Sequence, residues 1–268
     1  MSYWGDRIAR AQARAYNMTR KDIATRMRKH YQSLISGVLD DYEATYLKIL
    51  KAQEEGKPVT TADLYKLDKY WQMQKELESK LSSLGRKQII TLTKGFRNQY
   101  YNTYNAISIK GLSAFTTIDE DAVMQVINSI WCADGKSWSQ RIWENMNLLK
   151  ETLNEGLLHC VATGKSPSAL KKILMERFNV SFGRTDALVR TELAHIQTQA
   201  AQKRYRDYGI QELEVLADKD ERQCEVCGKL HGKRYSINDK PPVPVHPRCR
   251  CCMIPVVKIP PKSDTETV

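Results

Sequence analysis

Apolar positions recur at three- and four-residue steps over most of the chain, and at two-residue steps only near its end. From Ile8 through Met27, Leu34, Val38, Tyr42 and Leu50 the spacing predicts one long helix, stopped at Glu55-Gly56-Lys57-Pro58, where Gly and Pro end helices. A second long helix is predicted from Thr60-Thr61-Ala62-Asp63, with Leu64, Leu67, Trp71, Gln74, Leu77, Leu81 and Leu84 on its inner face. Gly85 is the predicted break, after which Ile89, Leu92, Phe96 and Tyr100 resume the stripe. The two helices together read as an elongated antiparallel hairpin.

From about Ser113 the elements shorten. Thr117-Ile118-Asp119-Glu120 and Ser137-Trp138-Ser139-Gln140 are capping-box candidates, each ahead of an apolar helical run. Gly164 is the predicted stop of the second run. Ser166-Pro167 then offers a hydroxyl at the N-cap and proline at the first helical position. Two further helices are predicted: one burying Leu170, Ile173, Leu174 and Phe178, the other running from Asp186 to about Tyr208 and stopped by Gly209. Only then does the pattern turn to strands. Glu212–Leu216 alternates and Met253–Ile259 is β-branched, so the two are expected to pair. The tail from Pro260 to Val268 is polar and proline-led, and is expected to be disordered.

Charge divides this string unevenly. Residues 1–112 carry 20 Lys/Arg and 11 Asp/Glu, a net of +9, whereas residues 113–268 carry 22 and 20. A basic helical half precedes a nearly neutral half, which makes a polyanion a natural neighbour. A solvated helix face that happens to be basic accounts for the same composition. No apolar run approaches the ~20 residues that span a bilayer, and no secretory signal is expected at the start.

Five of the seven cysteines crowd into one stretch: Cys224, Cys227, Cys249, Cys251 and Cys252. Cys132 and Cys160 stand alone. Two thiolates two residues apart can reach one tetrahedral ion from a tight turn, and His246 and Cys249 repeat that spacing. Cys249 and Cys251 would share one face of an extended segment, opposite Arg250 and Cys252. The preferred ligand set is Cys224, Cys227, His246 and Cys249, with Cys251 as the main substitute and His231 also nearby. A closed four-ligand zinc site would be structural, stapling a loop too polar to pack by itself. Neither Glu225 nor Asp239 is marked as the general base a catalytic zinc would need.

The fold class is therefore mainly α with a small β element (α+β): the helical hairpin, then a compact helical domain ending in a zinc-stapled β-hairpin. Arg190-Thr191-Glu192 forms a second constellation. Arg190 and Glu192 cannot share a helix face, and His195, one turn on, is within reach of Glu192. A buried salt bridge tying this helix to the metal hairpin is the preferred reading; a catalytic glutamate is the other. No P-loop, dinucleotide fingerprint, G-x-S-x-G or H-E-x-x-H is present. No catalytic residue is assigned.

Arg190-Thr191-Glu192, then Asp220-Glu221-Arg222-Gln223-Cys224-x-x-Cys227-Gly228-Lys229-Leu230-His231-Gly232-Lys233, then Pro241-Pro242 and His246-Pro247-Arg248-Cys249-Arg250-Cys251 closely resemble the phage Mu F-like head morphogenesis family. Tyr3-Trp4 with the basic helix, and the run Asp134 to Trp143, look like versions from phages of Gram-positive hosts. Val226 stands where the family pattern often has Pro, and Cys252 is an extra thiol. The resemblance implies a minor head (minor capsid) protein of a tailed bacteriophage, made in the host cytoplasm and carried in the virion. It implies contact with the portal, with capsid and scaffold proteins, and with packaged double-stranded DNA bound non-specifically through the basic N-terminal helices. Membrane is not an implied partner. The domain division expected on this basis is a basic helical region at 1–112, a head morphogenesis domain at 113–259 with the zinc loop at 224–252, and a tail at 260–268. The same domain type also occurs beside toxin domains. That keeps open a zinc-containing enzyme, a nuclease or nucleotidyl-modifying activity, built on Arg190, Glu192 and His195.

Overall fold

The structure, a computed structural model, describes residues 2–56, 69–113, 116–217 and 223–257. The predicted helix start at Thr60–Asp63, Leu64 and Leu67, the Asp220-Glu221-Arg222 triplet and the tail after Pro260 lie outside the described residues. The elements in chain order are α1 (Tyr3–Glu54), α2 (Lys69–Ala106), α3 (Glu120–Asn128), α4 (Trp138–Thr163), α5 (Pro167–Asp207), β1 (Glu212–Leu216), α6 (Glu225–Leu230), β2 (Arg234–Ser236) and β3 (Cys252–Pro255). The protein is mainly helical, with one small antiparallel sheet, as the patterning predicts.

By contact the chain forms two compact units, neither of them contiguous in sequence. One comprises Met1–Ile23, Leu92–Gly135 and Ala187–Val268; the other comprises Ala24–Thr91 and Lys136–Asp186. The sequence division at 112/113 follows composition, whereas these units follow packing.

In the second unit, segments of α1, α2, α4 and α5 bury Met27, Tyr31, Val38, Leu77, Leu81, Ile142, Leu149, Leu153, Leu170 and Phe178. α1 and α2 run antiparallel there: Lys80 Nζ donates to the Gly37 carbonyl at 3.2 Å, and His30 meets Thr91 at 3.1 Å. The predicted break at Gly85 does not occur, and α2 is continuous. Gly85 instead makes room for a ring, since a Cβ there would lie 2.4 Å from the Trp143 indole. The inner face holds at Leu77, Leu81 and Leu84, but its start differs by one position from the prediction. Tyr70 is buried and Trp71 is 55% exposed.

α4 starts at the predicted capping box. The Ser137 side chain accepts from the Gln140 N–H at 3.3 Å, and Gln140 Oε1 accepts from the Ser137 N–H at 2.8 Å. It ends at Gly164 with φ +60, which only glycine adopts freely. α3 is capped by Asp119, whose carboxylate accepts from the Asp121 N–H, rather than by Thr117.

The two helices predicted over 167–208 are one, α5. Ser181 and Thr185, which lie between the two predicted stretches, are buried and paired. Asn145 Nδ2 donates to the Ser181 carbonyl at 3.0 Å and reaches Thr185 Oγ1 at 3.1 Å, while Tyr31 meets Ser181 Oγ at 2.9 Å. Burial with partners suits these hydroxyls, so the helix continues through them.

In the first unit the sheet has strand order β2-β1-β3, all antiparallel. β1 pairs with β3 in the register Leu213↔Pro255 to Leu216↔Cys252, as expected of the two predicted strands. β2, pairing Glu212↔Ser236 to Glu214↔Arg234, was not anticipated. The inward side chains Leu213, Val215 and Met253 pack with Trp4, Ile8, Ile107, Ile109 and Tyr205. Tyr205 is fully buried. Its hydroxyl donates to the Met253 carbonyl at 3.0 Å and accepts from Gln12 Nε2 at 2.8 Å, which fixes β3 against α5 and the start of α1.

Candidate metal centre

The turn of α6 and the loop before β3 bring five donors close together. Cys224 is the N-cap of α6, and its Sγ accepts from the Cys227 N–H at 3.3 Å. One helical turn thus brings both thiols to the same side. His246 Nε2 lies 3.3 Å from Cys224 Sγ and 3.2 Å from Cys227 Sγ. Cys227 Sγ lies 3.8 Å from Cys249 Sγ. Two triads of close donors result, Cys224–Cys227–His246 and Cys227–Cys249–Cys251, sharing Cys227.

Within each triad the separations approach those around a tetrahedral zinc ion. Bonds of about 2.3 Å to sulfur and 2.0–2.1 Å to nitrogen place two thiolates ~3.8 Å apart and a thiolate ~3.6 Å from an imidazole nitrogen. The chemistry fits as well. Cys227, Cys249 and Cys251 are all buried. The hydrogen bond from Cys251 holds Cys249 down to about 5, and the same bond with Cys249 pushes Cys251 far up. Burial pushes Cys227 up to about 12, while the Cys227 backbone N–H lowers Cys224. Packed this closely, the thiols can all ionise only around a cation.

His246 is oriented for the same purpose. Its Nδ1 meets the Pro247 carbonyl at 2.9 Å, the arrangement in which Nδ1–H donates and Nε2 turns its lone pair to the thiols. The cavity at the centre measures about 30 Å³ and is lined by Cys224, Cys227, His246, Cys251, Arg248 and Arg250. That admits an ion or a single water.

Each predicted candidate can now be located. Cys224, Cys227 and His246 form one close group and Cys227, Cys249 and Cys251 the other, so Cys251 in place of His246 or of Cys249 stays open beside the preferred set. Cys252 begins β3 and is half-buried outside both triads. His231 is also outside them: its Nδ1 accepts from the Ala217 N–H at 3.2 Å. Glu225 is exposed and pairs with Lys229.

The Arg190-Thr191-Glu192 segment lies on α5. Glu192 and His195 are 3% and 7% exposed. They meet on a residue the sequence did not single out, Trp131, whose indole N–H donates to Glu192 Oε2 at 2.9 Å. Thr191 reaches the metal loop itself: its Oγ1 accepts from the Arg248 N–H at 3.0 Å. Arg248 has φ +61, and among the described residues it is the one non-glycine with positive φ. The Cys249 N–H returns to the His246 carbonyl at 3.1 Å, closing a turn with Pro247 and Arg248 at its central positions. Proline suits the first of these, but a left-handed arginine at the second costs about 1–2 kcal/mol. The Thr191 contact spans 57 residues, and no local pattern could have disclosed it.

Residues 151–254 match the family model described as Phage Mu protein F like protein, which bears out over that segment the resemblance read from the motifs. The matched segment runs from within α4 through α5, the sheet and the whole five-donor cluster. Comparisons with curated proteins and with solved structures give no match.

Proposed function

We propose that this chain is a structural minor head protein of a tailed bacteriophage, acting in head morphogenesis, with zinc as a structural staple of its C-terminal part. The observation that carries the reading is the match of residues 151–254 to the Phage Mu protein F like family, since that segment contains the complete donor cluster. Cys224, Cys227, His246 and Cys249 would hold the ion, which supplies cross-linking of α6 to the loop before β3. On this reading residues 1–112 form the basic region and 113–259 the head morphogenesis domain. Among the described residues no helix is long and apolar enough to cross a membrane.

The partners are the portal, capsid and scaffold proteins, and packaged double-stranded DNA. Support for DNA comes from α1, where Arg7, Arg10, Arg14, Lys21, Arg26, Arg28 and Lys29 are exposed. Such a face gives sequence-blind, salt-sensitive binding. The protein is not an enzyme in this reading. The burial of Glu192 and His195 favours it over a zinc-containing nuclease or nucleotidyl-modifying enzyme.

Quantitative mass spectrometry of purified virions and procapsids, scaled to the major capsid and portal proteins, tests the reading. A few copies per particle are expected. Absence from both particles would overturn it and turn attention to assays of Glu192→Gln.

A further inference from the structure

We propose that Thr191 is a positioning residue for the metal centre: its hydroxyl holds the left-handed backbone at Arg248, so that His246 and Cys249 face one ion. The proposal rests on the metal reading above and gives the Arg190-Thr191-Glu192 segment a task within it.

His246 and Cys249 belong to different donor triads, and the turn through Pro247 and Arg248 is the chain that joins them. A rotation at Arg248 would swing one donor away from the other. Left to itself, arginine relaxes out of positive φ. The Arg248 N–H is held at 3.0 Å by Thr191 Oγ1, and that oxygen is aimed by its own donation to the Ala187 carbonyl at 2.9 Å. The helix beneath is fixed on both sides of Thr191: the Arg190 carbonyl accepts from the Tyr16 hydroxyl at 3.3 Å, and Glu192 accepts from Trp131. A rigid helix thus presents a single oxygen to the one strained amide of the metal loop.

The test uses the full chain with Zn²⁺ alone, titrated against a chromogenic chelator, together with amide exchange at Arg248 in metal-free protein. Thr191→Val keeps the shape and removes the acceptor. It is expected to weaken zinc binding about 10–100-fold, the usual effect of losing a residue that supports a ligand. Its Arg248 amide should exchange faster by about tenfold or more, because a protecting bond is lost. Thr191→Ser should stay close to the parent in both measurements. Arg248→Gly, which tolerates positive φ, should bind zinc at least as tightly as the parent and restore most of the loss when combined with Thr191→Val.

Parent-like zinc affinity in Thr191→Val overturns the proposal while leaving the metal centre intact. So does weakened binding in Arg248→Gly, a variant that remains informative if Thr191→Val does not fold. A parent that holds no zinc overturns the metal reading and this role with it. The exchange rate then reports separately whether Thr191 holds the turn.

Discussion

Trp131 lies flat on His195, with ring centroids 4.3 Å apart and planes within 3°. The same indole donates to Glu192, so one residue from the segment after α3 engages two side chains of α5. Glu192 and His195 are thereby packed against one ring. A carboxylate and an imidazole held against one indole in a buried site tie that segment to the helix carrying Thr191.

Acid should loosen this arrangement. Burial lowers the His195 pKa to about 4, below its ordinary value of 6.5. Between those values the unfolded chain binds the proton and the folded chain does not, so stability rises with pH across the window. The contribution is fully present above about 6.5 and is lost as pH falls toward 4, by at most about 3 kcal/mol. Urea unfolding of the parent between pH 7 and 4 should show that slope. His195→Phe keeps a stacking ring without the titration, and its slope in the same window should be flatter. Identical slopes would refute the assignment.

Three glycines inside helices should respond to alanine differently. A Cβ at Gly95 would lie 2.5 Å from Ile23 Cδ1, and Ile23 is 1% exposed. Overpacking of about 1–3 kcal/mol outweighs the helix-propensity gain of about 1 kcal/mol, so Gly95→Ala should destabilise. Gly183 has nothing within 4 Å of its Cβ position, and Gly183→Ala should stabilise by up to about 1 kcal/mol. Gly85→Ala should fall between them, because the Trp143 ring it meets is half-exposed and able to shift. Denaturant midpoints order the three. A stabilised Gly95→Ala would show that the contact with Ile23 is softer than its distance implies.

What the sequence disclosed and what it concealed divide by distance along the chain. Ser137 and Gln140 are three residues apart, and so are Cys224 and Cys227, so the capping box and the metal turn are written locally. The continuity of α5 is not. Ser181 and Thr185 lie between its two predicted stretches, and Asn145 and Tyr31, from distant segments, satisfy their hydroxyls. A one-position phase error put Trp71 inside in place of Tyr70, because adjacent aromatics offer no local reason to prefer either. Thr191 belongs to the same class: its partner Arg248 lies 57 residues away along the chain. Its neighbours Arg190 and Glu192 drew notice by their charge, and the hydroxyl between them does the positioning.

DNA binding through α1 should be electrostatic. If Arg7, Arg14 and Lys21 each neutralise a phosphate, changing all three to Gln lowers the slope of log K against log salt by about 0.9 per contact. Filter binding with duplexes of unrelated sequence, from low to physiological salt, measures it. Affinity should be the same for every duplex at a given salt concentration. An unchanged slope in the triple variant would remove α1 from the interface.

The ligand set can be resolved by single substitutions. If Cys224, Cys227, His246 and Cys249 hold the ion, Cys251→Ser retains one zinc per chain and His246→Ala does not. The pattern reverses if Cys251 takes the place of His246, and Cys249→Ser retains the metal if Cys251 takes the place of Cys249. The orientation of His246 by the Pro247 carbonyl favours the first outcome, because a neutral imidazole fixed with Nε2 toward two thiols loses little freedom on binding. Elemental analysis of each purified variant supplies the count. Thermal melting supplies an independent reading, since a structural zinc contributes directly to folding. Cys224→Ser with Cys227→Ser removes both donors of α6 and should release the metal. The same double change should unfold the segment from β1 to β3, which chelation of the parent would reproduce. A double variant that melts like the parent would show that the sheet and the Tyr205 core hold this region without a metal.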